Sequence, residues 1–503
     1  MNMKKRVILL ALALSMLLTL LVGCKKDGET VVSDTESAAA GDVSGDAAGG
    51  DATTPVDSGA DTMGKYDFGG KEFTVLTRKD TKYEFTSDKG LGGDVIDRAV
   101  YKRNYEVQKR FNVAMKVVDK PGGWEQRSEF LSIVRGEAMG GDGGYDLVST
   151  HSVYLGWMAA EGLATDMATL PEMNFSKAWW NQNLYDEINI NGHVYFMQGD
   201  ICTTTYEYMQ VLFINETAFN KYFVGDTVNT VYTLVEDQKW TWDVMLEYAK
   251  NFGTSGNSEV QEYGLAQNIH GWRASFIAQD AGLYERDENK ELIMPATPSD
   301  RLINVVNQMV DIYSQENIML YTAQWDTGAN VLNPQFSAGN ILFYPQTLGE
   351  AQNISNSMKD TYGVIPVPKY DEYQEKYYTI CRNTVSAVMI MSTTDDADMA
   401  GVVTEALCMY GYNIVTPEYY EMALKVRYFN EPKYAAILDM IRDGLTLQPV
   451  ECYIENSPGV DMFLDQVNHG RYNEVVSTYT NQATNGQNKL SSFYATLKSQ
   501  GLY

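Results

Sequence analysis

Histidine, cysteine and positive charge are scarce in this chain: 503 residues hold 4 histidines and 5 cysteines, and 39 Lys and Arg stand against 66 Asp and Glu. Each scarcity argues against a class of function. The cysteines show no CxxC spacing and no paired histidine, and His151, His193, His270 and His469 are too widely spaced for two of them to share an element as ligands, so no metal site is expected. A formal charge of -27 leaves few cations to displace counterions from a phosphate backbone, which argues against nucleic acid as a partner. Enzyme signatures are missing too: there is no GxSxG elbow, no HExxH, no Walker loop, and no GxGxxG opening a helix. The glycine cluster Gly140-Gly141-Asp142-Gly143-Gly144 precedes a strand pattern and reads as a loop. Without a repeat of fixed period, a solenoid or propeller is not expected.

What is present begins at the N-terminus. Lys4, Lys5 and Arg6 precede the apolar run Val7–Val22, which has the pattern of a secretory signal and is short for a spanning helix. The run ends in Leu21-Val22-Gly23-Cys24, which resembles the lipobox of bacterial lipoproteins. The resemblance implies cleavage after residue 23, a diacylated Cys24, and a protein held at the extracellular face of a bacterial membrane. Removing residues 1–23 takes away three positive charges and no negative ones, so -27 becomes -30. Residues 24–66 then form an acidic tether of small polar residues that cannot bury enough surface to offset its ordering entropy. Its flexible-coil reach is roughly 35 Å. Cys202, Cys381, Cys408 and Cys452 remain, and their scatter leaves both disulfides and buried thiols open.

Residues from about Tyr66 onward alternate between strand and helix periodicity. Phe73–Thr77, Val113–Val118 and Tyr145–Val148 read as strands. Between them, Ile96, Val100, Val107 and Phe111 recur at helical spacing behind an Asp94 N-cap, and a second helix is expected near Trp124–Met139. The rhythm continues with strands at Val211–Ile214, Tyr263–Ala266 and Ile341–Tyr344, and helices at Trp242–Phe252, Trp272–Asp280, Asp398–Tyr410 and Tyr419–Val426. Alternation of this kind predicts an α/β fold, and the length fits two lobes.

The order of segments resembles extracellular solute-binding proteins of ABC importers, in the sugar-binding branch. It rests on Tyr145-Asp146-Leu147-Val148, Trp179-Trp180-Asn181, Asn191–Phe196 followed by Gly199-Asp200, Leu212–Asn215, Trp240-Thr241-Trp242 and Tyr362–Tyr370, in sequence over roughly 68–450. Phe429–Lys433 lacks the acidic pair expected there, a departure that bears on subfamily and not on fold. The resemblance implies a two-lobed periplasmic-binding-protein-like fold of type II, with mixed sheets flanked by helices and an interlobe hinge. Lobe 1 is expected over 67–205 plus 361–393 and lobe 2 over 206–360 plus 394–503, with crossings near Asp200–Tyr208, Ser357–Tyr362 and Met391–Asp395. It also implies a carbohydrate ligand, an ABC permease as partner, a monomer, and no cofactor or catalytic step. Peptide or another polar solute, and a surface glycan-cleaving enzyme, stay open as alternatives.

A sugar offers apolar C–H faces and a belt of hydroxyls, so its receptor needs aromatic platforms beside hydrogen-bonding side chains. The chain has 8 Trp and 34 Tyr, twice its 17 Phe. Because ligands of open α/β sheets sit beyond the carboxyl ends of strands, residues just after each strand are the candidates. These are His151, Tyr154 and Trp157; Asp200 and Glu207 near the first crossing; Trp272 with Arg273 at an expected helix start; Gln346; and Arg382, beside Asn383 and Thr384. Trp179, Trp180, Trp240 and Trp242 read as structural, with Thr241 as a helix cap.

Overall fold

The computed structural model describes residues 61–502 apart from 142, 253–260, 317, 323–324, 383, 420–431 and 455. The signal, Cys24, most of the tether, Asn383 and residues 420–426 of the expected helix lie outside the described residues. The described residues all belong to one compact unit.

The described strands are β1 (Lys71–Arg78), β2 (Val113–Lys120), β3 (Leu147–His151), β4 (Gln210–Asn215), β5 (Tyr263–Asn268), β6 (Glu285–Arg286), β7 (Leu292–Ile293), β8 (Met319–Thr322), β9 (Ile341–Thr347), β10 (Tyr362–Ile365), β11 (Thr379–Ile380), β12 (Ser386–Ile390) and β13 (Leu445–Thr446). They form a first sheet ordered β12-β3-β1-β2, a second ordered β10-β4-β9-β5-β8, and the two small ladders β11-β13 and β6-β7. Burial of Phe73–Arg78 and of every residue of β3, β4 and β9 marks sheets covered on both faces.

Local sequence explains why the crossover helices start where they do. Asp94 accepts from the Asp97 amide at 2.9 Å while Asp97 accepts from the Asp94 amide at 3.3 Å, a capping box that opens the helix Val95–Phe111. Asn112, at φ 49°, ends that helix in the left-handed region and passes the chain directly into β2. Thr241 caps the helix Trp242–Asn251 as expected.

Each large sheet contains one reversed strand. In the first sheet β1, β2 and β3 run parallel and β12 opposes β3; in the second, β10, β9, β5 and β8 share a direction and β4 opposes it. The reversed strands are the ones by which the chain enters a sheet from the other. A segment arriving at the carboxyl edge must run back through the sheet, so Gln210 begins β4 opposite Thr347, the last residue of β9, and Ser386 begins β12 opposite His151, the last of β3. The two crossing segments are hydrogen-bonded together: Met209 and Cys381 form an antiparallel bridge, the Arg382 amide donates to the Tyr208 carbonyl at 3.1 Å, and the Ser386 amide donates to Thr204 Oγ1 at 3.0 Å.

Two expectations about chain routing are corrected. The return crossing does not fall near Ser357–Tyr362, because β10 pairs with β4 and keeps residues 362–365 in the second sheet; the return lies between Ile365 and Ser386. Nor do residues 394–503 pack only on the second sheet. The helix Ala397–Tyr410 packs on Val95–Phe111, and its Glu405 accepts from the indoles of Trp179 and Trp180, both at 2.8 Å. The helix Pro449–Tyr453 packs on Ser152–Ala160, so closely that a Cβ on Gly156 would stand 2.2 Å from the Cys452 carbonyl oxygen. The same tail reaches the second sheet's side through Asp461 and Glu451, which bind Arg273.

Candidate functional site

Where the carboxyl edges of the two sheets face each other, a pocket enclosing about 540 Å³ opens, part of it continuous with solvent. Ser152, Val153, Gln198 and Val385 line it from the first sheet's side, and Gln210, His270 and Arg273 from the second's. The crossing segment contributes Ile380, Cys381 and Arg382, and the tail closes it with Thr446–Gln448, Glu451 and Cys452.

The electrostatics keep most of this lining neutral or compensated. Burial, with Arg382 and Arg273 nearby, pushes His270 down to about 3, so its imidazole is uncharged at neutral pH. Arg273 donates from Nε to Asp461 Oδ1 at 3.0 Å and from Nη1 to Glu451 Oε2 at 3.5 Å. Arg382 donates to Gln346 Oε1 at 3.1 Å and lies over the Tyr208 ring. Cys202, Cys381, Cys408 and Cys452 are all free thiols and all buried. Among the described residues no group of three His, Cys, Asp or Glu side chains is placed to hold a metal.

The candidate residues named from sequence distribute unevenly around this pocket. Arg273 and Arg382 line it, and Gln346 reaches it through Arg382. Gln346 was expected in a loop, yet it lies inside β9, fully buried, donating to Tyr344 Oη at 2.8 Å. His151, Tyr154 and Trp157 gather at the end of β3, adjacent in sequence to Ser152 and Val153 of the pocket. His151 is buried against Arg78, whose Nη1 stands 2.9 Å from Nε2; burial and that guanidinium push it down to about 3. Tyr154 is buried beneath His151, Trp157 and Trp124.

Three placements differ from expectation. Trp272 has no exposed face: its ring packs against Tyr313 and Phe276 in the core at 0% exposure, outside the pocket. The helix starts at Ile269, capped by Asn268, which turns Trp272 inward instead of leaving it at the helix mouth. Asp200 is buried and accepts from Tyr206 Oη and, at 3.4 Å, from Arg442; it faces a separate depression that includes Trp179 and Asn183. Glu207 accepts from Tyr83 Oη and Tyr419 Oη, both at 2.6 Å, and so ties the first crossing to neighbouring elements. Burial holds the Glu207 carboxyl above its usual range.

Sequence reasoning missed two residues. Trp124, read only as a helix start, keeps 42% of its surface exposed at the end of the first sheet, stacked on Tyr154 with ring centroids 5.9 Å apart and with the Arg127 guanidinium 5.0 Å over its ring. Gln210 was hidden at the head of a strand. For Trp124 the signal was an aromatic just after β2, the same topological rule applied to a strand that was passed over.

Two mixed α/β sheets joined by paired crossing segments, with a pocket at their facing carboxyl edges, define the type II periplasmic binding protein fold. Solved structures of that fold are similar. A cyclo/maltodextrin-binding protein complexed with maltotetraose matches with a TM-score of 0.51 and 15% identity, over 88% of this chain and 98% of its own. RafE from Streptococcus pneumoniae, in its apo form, matches with a TM-score of 0.53 and 14% identity, over 83% of this chain and 98% of its own. No curated protein matches the chain. Residues 98–402 match the family of bacterial extracellular solute-binding proteins, and the chain belongs to that family. Among the described residues no helix is long and apolar enough to cross a membrane.

Proposed function

We propose that the chain is a lipid-anchored binding protein that captures a carbohydrate, an oligosaccharide in particular, and delivers it to an ABC-type permease. The observation that carries the reading is the pocket of hydrogen-bonding side chains set between two sheets that are joined through paired crossing segments and the tail. Its lining combines a neutral His270 with glutamine and arginine hydrogen-bonding groups, which suits a polyhydroxylated ligand, and the half-exposed Trp124 stacks on Tyr154, next in sequence to Val153 of the pocket. The cyclo/maltodextrin-binding protein, solved with maltotetraose, supports the choice of ligand class.

In this reading residues 67–198 with 386–411 form one lobe and 210–365 the other, and the segments 199–209 and 366–385 act as the hinge. Ligand bridging the lobes stabilises the closed state by its differential affinity for it, and the permease recognises that state. Diacylated Cys24 retains the protein at the outer face of the membrane.

A glycan array probed with the full chain, followed by calorimetry on the strongest binder, tests the function. The expected result is binding of an oligosaccharide that is recovered intact. Recovery of shortened products would convert the reading to a glycan-cleaving enzyme, and binding of peptides with no glycan bound would replace the ligand class. Loss of radiolabelled lipid on Cys24→Ala tests the anchor separately.

A further inference from the structure

Among the described residues, several buried side-chain amides around the pocket are hydrogen-bonded through both ends or one. Gln198 donates to Thr205 Oγ1 at 2.8 Å, Gln346 accepts from Arg382 and donates to Tyr344, and Gln267 donates to Ser275 Oγ at 2.6 Å while accepting from Tyr313. Gln210 lines the same pocket at 2% exposure, and neither its Oε1 nor its Nε2 has a hydrogen-bond partner among the described residues. A buried amide left without partners carries a desolvation cost, and a leucine of similar size there would carry none. Position adds to this. Gln210 is the first residue of β4, next to the Met209–Cys381 bridge, so its backbone is held from both sides while its side chain points into the pocket.

We propose that Gln210 is a ligand-reading residue: its amide hydrogen-bonds two adjacent hydroxyls of one uncharged sugar ring bound in this pocket. An amide presents a donor and an acceptor side by side, and a vicinal diol offers one of each in return. In the same lining His270 is neutral, Arg273 is already bound to Asp461 and Glu451, and Arg382 is engaged by Gln346. The inference rests on the carbohydrate reading above.

The test uses the full chain and Gln210→Leu, with an array of neutral glucans, galactans and uronic-acid oligosaccharides, then calorimetry on the best neutral binder and its mono-deoxy analogues. Wild type should prefer the neutral sugar and lose affinity for one deoxy analogue. Gln210→Leu should bind the parent sugar about tenfold or more weakly, no longer distinguish that analogue, and melt at a higher temperature without ligand, because the orphaned amide is gone. If wild type binds no glycan on the array, the carbohydrate reading fails and this inference with it. If wild type binds and Gln210→Leu binds equally well, this inference alone is overturned. A lower melting temperature for Gln210→Leu in the absence of ligand would equally overturn it, since the amide would then be satisfied without a sugar.

Discussion

Two tryptophans show how burial separates packing from recognition at the level of single residues. Trp272 is enclosed by Tyr313 and Phe276, so Trp272→Ala opens a core cavity and should destabilise the fold by about 3–5 kcal/mol in denaturant unfolding. Trp124 is partly exposed; Trp124→Ala should leave the melting temperature nearly unchanged while weakening oligosaccharide binding by about 1 kcal/mol, measured by calorimetry. Glu405 offers a pH signature. Burial raises its carboxyl to about 7, opposed by the hydrogen bonds from Trp180 and Trp179 and from the Asn174 amide, with Glu172 adding to the rise. A folded-state pKa above the unfolded value of 4.5 means that its contribution is full below about 4.5 and is lost as pH rises through about 7. Wild type should therefore lose melting temperature between pH 5 and pH 8, and Glu405→Gln, which cannot ionise, should narrow that loss.

Elements were legible where their pattern was local. The alternation of Phe73–Thr77, the Asp94 cap and the Thr241 cap placed their strand and helices within a few residues, because each depends on neighbours in the chain. Gln346 was misplaced because Pro345 reads as a strand stop. At Pro345, however, β9 pairs with β4 opposite Leu212, while its pairing with β5 ends at Leu265–Phe343, so the missing N–H costs no ladder bond on that side. Trp272 failed on a helix boundary three residues out. The tail was not legible at all, since its contacts join positions some three hundred residues apart, such as Gly156 with Cys452. Gly156→Val should force the helices Ser152–Ala160 and Pro449–Tyr453 apart against a backbone carbonyl, costing about 1–3 kcal/mol of stability and loosening the pocket wall that Ser152 and Cys452 share.

On the scale of the molecule, closure is the property to measure. Small-angle scattering should show a smaller radius of gyration when the saturating oligosaccharide is added, and no change with a glycan that the array leaves unbound. The acidic balance, -27 over the whole chain, favours solubility and mutual repulsion and says little about the ligand. The reversed strands β4 and β12 set the geometry of such a motion. Both begin where the crossing segments meet, so Gln210 lies one residue from Met209 and Ser386 four from Arg382. A rotation displaces each atom in proportion to its distance from the axis. The pocket floor, close to that axis, would therefore be displaced less in the swing than the distant amino ends of the strands. A sugar can thus be read first at a floor that moves little between the two states, and be gripped afterwards by the rim.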